Sequence, residues 1–191
     1  MKWRLVLPIL LVIAGVILCG YGGCRLFQNH TQEQVSLQKA KALATLPNDP
    51  ITFKKFNPYK GETIGLVELP RLKATLPIVE GTNENQLAKG VGHYKTSKFP
   101  NQHDQIVLSG HRDTVFRHVG DLKIGDKIIL HFPFGTFTYK VDHTKIVMAD
   151  DRTIIHSTYP KEELLLTTCY PFYYIGNAPK RYLIYAYRTA T

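Results

Sequence analysis

Three hydropathy patterns follow one another along the chain. Lys2 and Arg4 precede an uncharged, mostly apolar run from Leu5 to Cys24, 20 residues long. A helix of that length spans about 30 Å at about 1.5 Å per residue, which matches a bilayer core. Next, Thr31-Gln-Glu-Gln34 has the form of a capping box, and Val35, Leu37, Ala40, Leu43 and Leu46 recur at helical spacing. That pattern predicts a mildly amphipathic stem helix stopped by Pro47 and Pro50, with a disordered stem as the alternative. From about Gly61 the period shortens to that of strands.

The strand pattern predicts Thr63–Leu69, Thr75–Val79, Gln105–Ser109, Lys127–Phe132, Thr136–Met148, Leu164–Thr168 and Tyr182–Ala186. Lys127–Phe132 and Thr136–Met148 read as a hairpin about Pro133-Phe-Gly135. Asn83–Leu87 predicts one or two helical turns, and Thr114–Leu122 a short helix ended near Gly120 and Gly125. Seven or eight short strands with few helices predict a mainly β fold, a closed or nearly closed barrel rather than a parallel α/β sheet. The chain thus divides into a membrane anchor (1–25), a stem (26–60) and a β domain (61–191). A domain of that size buries about two thirds of its chain surface and needs no disulfide or metal to stand.

Location narrows the function. Two basic residues on the short N-terminal side favour a cytoplasmic N-terminus, a single pass and an extracellular domain. A cleaved signal peptide is the competing reading, but Tyr21 and Cys24 interrupt the glycines that would make a cleavage site. A lipoprotein cysteine at Cys19 or Cys24 fits poorly with the residues before each. Lys plus Arg number 24 against 15 Asp plus Glu, a net charge of +9 that favours anionic neighbours such as lipid or cell wall. No cluster of basic residues with interleaved aromatics appears, which argues against nucleic acid. Lys39, Lys41, Lys54, Lys55 and Lys60 read as a solvated face or as contacts to anionic lipid or wall polymer. With Cys19 and Cys24 in the anchor, Cys169 is the lone exported thiol, either a reactive group or a small buried hydrophobe.

The last two strand patterns carry Cys169 at the end of one and Arg181 at the start of the next. Paired side by side, they place thiol and guanidinium at the same sheet end. His111, in the run Ile106 to Asp113 that reads I-V-L-S-G-H-R-D, stands just past another strand end. A free cysteine with pKa about 8.5 is only a few per cent thiolate at neutral pH, so it needs a base. Histidine can take the thiol proton and return it to a leaving amine, while an always-charged guanidinium can hold an oxyanion. These three residues satisfy nucleophilic acyl transfer.

The same residues resemble the sortases, membrane-anchored cysteine transpeptidases of Gram-positive bacteria. The resemblance runs from about Glu62 to Tyr187 and rests on V-L-S-G-H-R at the histidine, L-T-T-C at the cysteine and the basic strand of Arg181. T-C-Y-P-F at 168–172 and I-G-N-A-P-K-R-Y at 175–182 look most like class D. The resemblance implies a closed eight-stranded β-barrel and an LPxT-type sorting signal cleaved after its Thr. It implies a thioacyl enzyme and transfer to an amine of a peptidoglycan precursor. It makes His111 the acid/base, Cys169 the nucleophile and Arg181 the oxyanion or substrate-binding cation; no cofactor and no required metal are expected.

Class C, pilin-polymerising members usually carry an Asp-Pro-aromatic lid and a second hydrophobic segment. Here Asp49-Pro50 precedes Ile51 and the sequence ends R-T-A-T at Thr191, which argues for class D over that alternative. Calcium-binding members use acidic loop residues; Asp142, Asp150 and Asp151 match by type only. Asp113 is expected to cap the helix at Thr114 or orient the imidazole, Thr168 and Tyr170 to flank the substrate groove, and His93 to be structural. An L,D-transpeptidase is rejected because Thr167-Thr168 stand where that family has His and Gly. A hydrolytic cysteine protease and a tethered binding protein with an inert thiol remain as rivals.

Overall fold

Apolar strand positions close the last two thirds of the chain on itself. In the computed structural model, residues 3–46, 50–173 and 176–189 are described. The expectations placed on Lys2, Pro47, Asp49, Ile175 and Thr191 lie outside them. Helix α1 covers Trp3–Ala44 and α2 covers Pro50–Lys55. Eight strands follow: β1 Thr63–Leu69, β2 Ala74–Glu80, β3 Val91–His93, β4 Gln105–Gly110, β5 Lys127–Phe132, β6 Gly135–Met148, β7 Glu163–Tyr170 and β8 Lys180–Arg188, with a single-turn helix α3 at Glu84–Leu87 between β2 and β3. They form a closed barrel in the order β1-β2-β3-β4-β7-β8-β6-β5. The β2–β3 and β4–β7 pairs are parallel and the others antiparallel.

Three expectations are corrected. The stem helix does not begin at Thr31, because α1 runs unbroken through it. Inside a helix the Thr31 hydroxyl turns back and donates to the Phe27 carbonyl at 2.9 Å instead of capping. Thr114–Leu122 is not an α-helix. It is a run of turns ending in a 3-10 helix at Val119–Asp121, so no helix starts at Thr114 for Asp113 to cap. The amides of Thr114 and Phe116 both bond the His111 carbonyl, curling this segment back on itself. Strand β3 escaped the sequence pattern because three residues between and beside glycines give no alternation to read. His93 on β3 is structural as expected: it is buried, 2.7 Å from Glu80 and stacked on Phe99.

Described residues ahead of β1 pack against the barrel. The C-terminal part of α1 lies on β1 and β2 and buries Ser36 and Ala40. Phe53 of α2 and Phe56 just after it pack on Phe134 with ring centroids 5.0 and 4.9 Å away. Lys39, Lys41, Lys54, Lys55 and Lys60 are exposed.

Inside the barrel, Ile106, Leu108, Leu164, Leu166, Ile184 and Ala186 meet Ile128, Leu130, Phe137 and Tyr139 from the far wall. Strand β6 alternates buried Phe137, Tyr139 and Val141 with exposed Thr136, Lys140 and Asp142. Strands β4, β7 and β8 do not alternate. On their outer face, Val107, Leu165, Leu183 and Tyr185 form a second buried cluster under Tyr94 and Ile154. Burial on both faces is why I-V-L and L-L-L appear there as unbroken apolar runs.

Candidate active site

The outer face of β4, β7 and β8 is also where the candidate side chains Cys169 and Arg181 stand. Cys169 and Arg181 are direct cross-strand partners in the β7–β8 register. By alternation they share a face with Leu165, Thr167 and Leu183, outside the barrel. On the other side of β7, Gly110 of β4 is the partner of Thr168, so His111 lies one residue beyond the paired region, beside Cys169. The buried Thr168 hydroxyl donates to the Gly110 carbonyl at 2.7 Å and locks the two strand ends together. Gly110 admits no side chain: a Cβ there would come within 2.5 Å of the Phe116 ring, which the curled segment lays over it. The imidazole is thus carried on a backbone fixed from both sides.

His111, Cys169 and Arg181 line one groove of about 590 Å³. Val107, Ser109 and Thr167 form its floor, and Tyr94 and the segment Asp151–Ile155 form its walls. All three residues are half-buried, neither sealed in the core nor free in solvent. The Arg181 guanidinium donates through Nη1 to the carbonyls of Lys180 at 3.1 Å and Ala178 at 3.4 Å, which aims it along its own strand end. A thiol nucleophile, an imidazole to move protons and a guanidinium beside them can perform acyl transfer.

Of the other expected positions, Thr168 and Asp151 line this groove and the rest fall elsewhere. Tyr170 is not among the groove-lining residues; its ring joins Phe172 and Tyr182 in an aromatic cluster. Asp151 accepts from the Thr153 amide and hydroxyl at 2.9 and 2.6 Å, and these bonds hold its carboxyl below the usual carboxylate range. Asp142 pairs with His143, whose ring stacks on Tyr185. Exposed His118 faces Asp121 at 3.6 Å. Among the described residues no group of three or more His, Cys, Asp or Glu side chains could hold a metal ion. Sequence reasoning missed the groove walls, because Thr96, Ile154 and Ile155 have no motif and meet the site only through folding. It also passed over Arg112, whose place next to His111 was its one signal.

A closed β-barrel presenting cysteine, histidine and arginine at one groove defines a class of thiol acyl-transfer protein. The comparisons narrow it further. A sortase domain is matched over residues 67–189. Sortase D of Bacillus subtilis (strain 168) is 48% identical over 193 residues, covering 96% of this chain and 98% of that protein. A Clostridium perfringens Sortase D5 transpeptidase has a TM-score of 0.73 over 84% of this chain and 99% of its own, and at 19% identity it carries the fold alone. Clostridium perfringens sortase C, solved with the C-terminal cell wall sorting motif, has a TM-score of 0.65 at 29% identity over 84% and 89% of the two chains. The chain belongs to the sortase family. It is a cysteine transpeptidase similar over nearly its whole length to a class D member.

Proposed function

We propose that this enzyme cleaves an LPxT-type sorting signal after its Thr and transfers the acyl fragment to an amine of a peptidoglycan precursor. Cys169 gives its proton to His111 and attacks the Thr carbonyl. Arg181 holds the oxyanion of the tetrahedral intermediate. When the Thr–X amide bond breaks, His111 returns the proton to the departing amine, leaving a thioacyl enzyme. An acceptor amine then attacks, loses its proton to His111, and expels the cysteine sulfur. The observation that carries this reading is the direct pairing of Cys169 with Arg181, with His111 beside them on the same groove.

Val6–Cys24 is apolar enough to cross a bilayer, with mean hydropathy 2.3 and none of it buried in the protein. We place residues 1–25 in the membrane with the N-terminus cytoplasmic, residues 26–60 as the stem, and residues 61–191 outside the cell as the catalytic unit. The 48% identity to a Sortase D supports a class D role over a pilin-polymerising one.

The test is product analysis of the full-length enzyme in detergent with short LPxT-type peptides, with and without an added amine. A new amide joining the Thr to the amine is the expected product. Hydrolysis alone, unchanged by amine, would make the protein a protease, and no cleavage of any such peptide would refute the substrate assignment.

A further inference from the structure

The turn after His111 and the loop after Cys169 are joined by two side chains that lie outside the groove. Arg112 reaches across with both terminal guanidinium nitrogens. Nη1 donates to the Pro171 carbonyl at 3.1 Å and Nη2 to the Gly176 carbonyl at 2.8 Å. Pro171 is two residues past Cys169, and Gly176 is five before Arg181. One planar, rigid fork therefore sets the spacing between the two ends of the β7–β8 connection.

The second tie is Phe172. Its ring lies so close to Gly120 that a Cβ there would be 2.7 Å from it. The same ring meets Tyr170 and Tyr182 edge-on, with centroids 5.6 and 5.3 Å away. Tyr170 directly follows Cys169, and Tyr182 directly follows Arg181. Both ties start from the segment 112–120, the continuation of the His111 backbone. The base is thus fastened to the nucleophile's loop twice, once by charge-assisted hydrogen bonds and once by aromatic packing.

We propose that Arg112 is a positioning residue for acyl transfer. Its fork holds the end of the β7–β8 pair against the His111 turn, so that thiol, imidazole and oxyanion cation keep one spacing through both half-reactions. This rests on the acyl-transfer roles assigned above. Among the described residues, neither Arg112 nor any of 170–173 and 176–180 lines the groove, so the groove contacts of those residues are untouched when the fork is lost. The consequence falls on turnover and not on peptide binding, since misplacement by about 1 Å can cost about 100-fold in rate.

The experiment compares full-length wild type, R112A, R112K and F172L in detergent, with an LPxT-type peptide and an amine acceptor, by steady-state kinetics and thermal melting. R112A is expected to lose about 10- to 100-fold in kcat with the peptide KM within about twofold. R112K, which offers one donor centre in place of the fork, is expected to recover part of that loss. F172L, which loosens the second tie, is expected to lower kcat less than R112A does. An unchanged kcat in R112A, or a raised KM at unchanged kcat, overturns the proposal. So does a loss in R112A that tracks a lowered melting temperature and is shared in full by R112K. If wild type itself fails to cleave, the acyl-transfer reading falls, which the variants then have no part in deciding.

Discussion

The two ends of the β7–β8 strand pair are built for opposite purposes. At the groove end, Cys169 faces Arg181, both half-buried, and the guanidinium bonds backbone carbonyls of its own strand end. At the other end, Glu163 faces Tyr187, and polar groups are consumed in a network. Tyr187 donates to Glu163 at 2.9 Å, and Gln105 Nε2 donates to the other Glu163 oxygen at 3.0 Å. Next to them, Glu162 accepts from the buried Tyr139 hydroxyl at 2.7 Å and from the Asn101 amide at 2.8 Å. Arg188 completes the set with Glu162 and Asn101. A group that must change partners during a reaction cannot be locked into such a network, whereas a buried carboxylate cannot go without one. The same two strands therefore keep reactivity at one end and rigidity at the other.

Substitutions at the two ends should separate activity from stability. At the groove end, C169A is expected to reduce acyl transfer to background, and H111A to lower it on the order of 1,000-fold or more, both with melting temperatures near wild type. R181K keeps the charge but not the fork, and a loss of about 100-fold in kcat/KM is expected. Near wild-type rates in H111A or R181K would remove those residues from their assigned roles. At the far end the pattern inverts. Y139F takes the hydroxyl from buried Glu162 and is expected to cost about 1–3 kcal/mol in denaturant unfolding, with kcat unchanged. A Y139F enzyme equally stable but slower would break the comparison.

The smallest effect concerns alkaline pH. Burial, reinforced by the bond to Glu163, pushes the Tyr187 hydroxyl up to about 12. Burial and the Glu162 charge push Tyr139 in the same direction. An unfolded tyrosine ionises near pH 10. Below pH about 10 the folded and unfolded chains both hold these protons, and the stabilisation is complete. As pH rises from about 10 through about 12, the unfolded chain releases protons that the folded one retains, so stability falls. Melting temperature measured across that window should decline, and Y187F should flatten the decline. An identical slope in Y187F would detach Tyr187 from it.

Much of this architecture was legible one residue at a time. Hydrophobic period and turn residues located seven of the eight strands, and Lys127–Phe132 agrees at both ends. Cys169 and His111 stood out because a lone thiol outside the apolar N-terminal run and a histidine past a strand end are chemically conspicuous. The failures have physical causes. Thr31 looked like a cap because capping chemistry is local, yet helix continuity overrode it. The 114–122 segment has helical composition, but Gly120 and the pull of two amides onto the His111 carbonyl gave turns instead.

Sequence alone determined which residues are apolar, where the chain turns, which thiol lies outside the apolar N-terminal run and which chemistry the set of Cys, His and Arg can perform. Those are properties of single residues and their near neighbours. Only the tertiary structure decided that β4, β7 and β8 are buried on both faces, that Cys169 meets Arg181 in register, and that Arg112 bridges to carbonyls 59 and 64 residues away. Strand register and long-range hydrogen bonds depend on how distant segments pack together, and no local spacing records that.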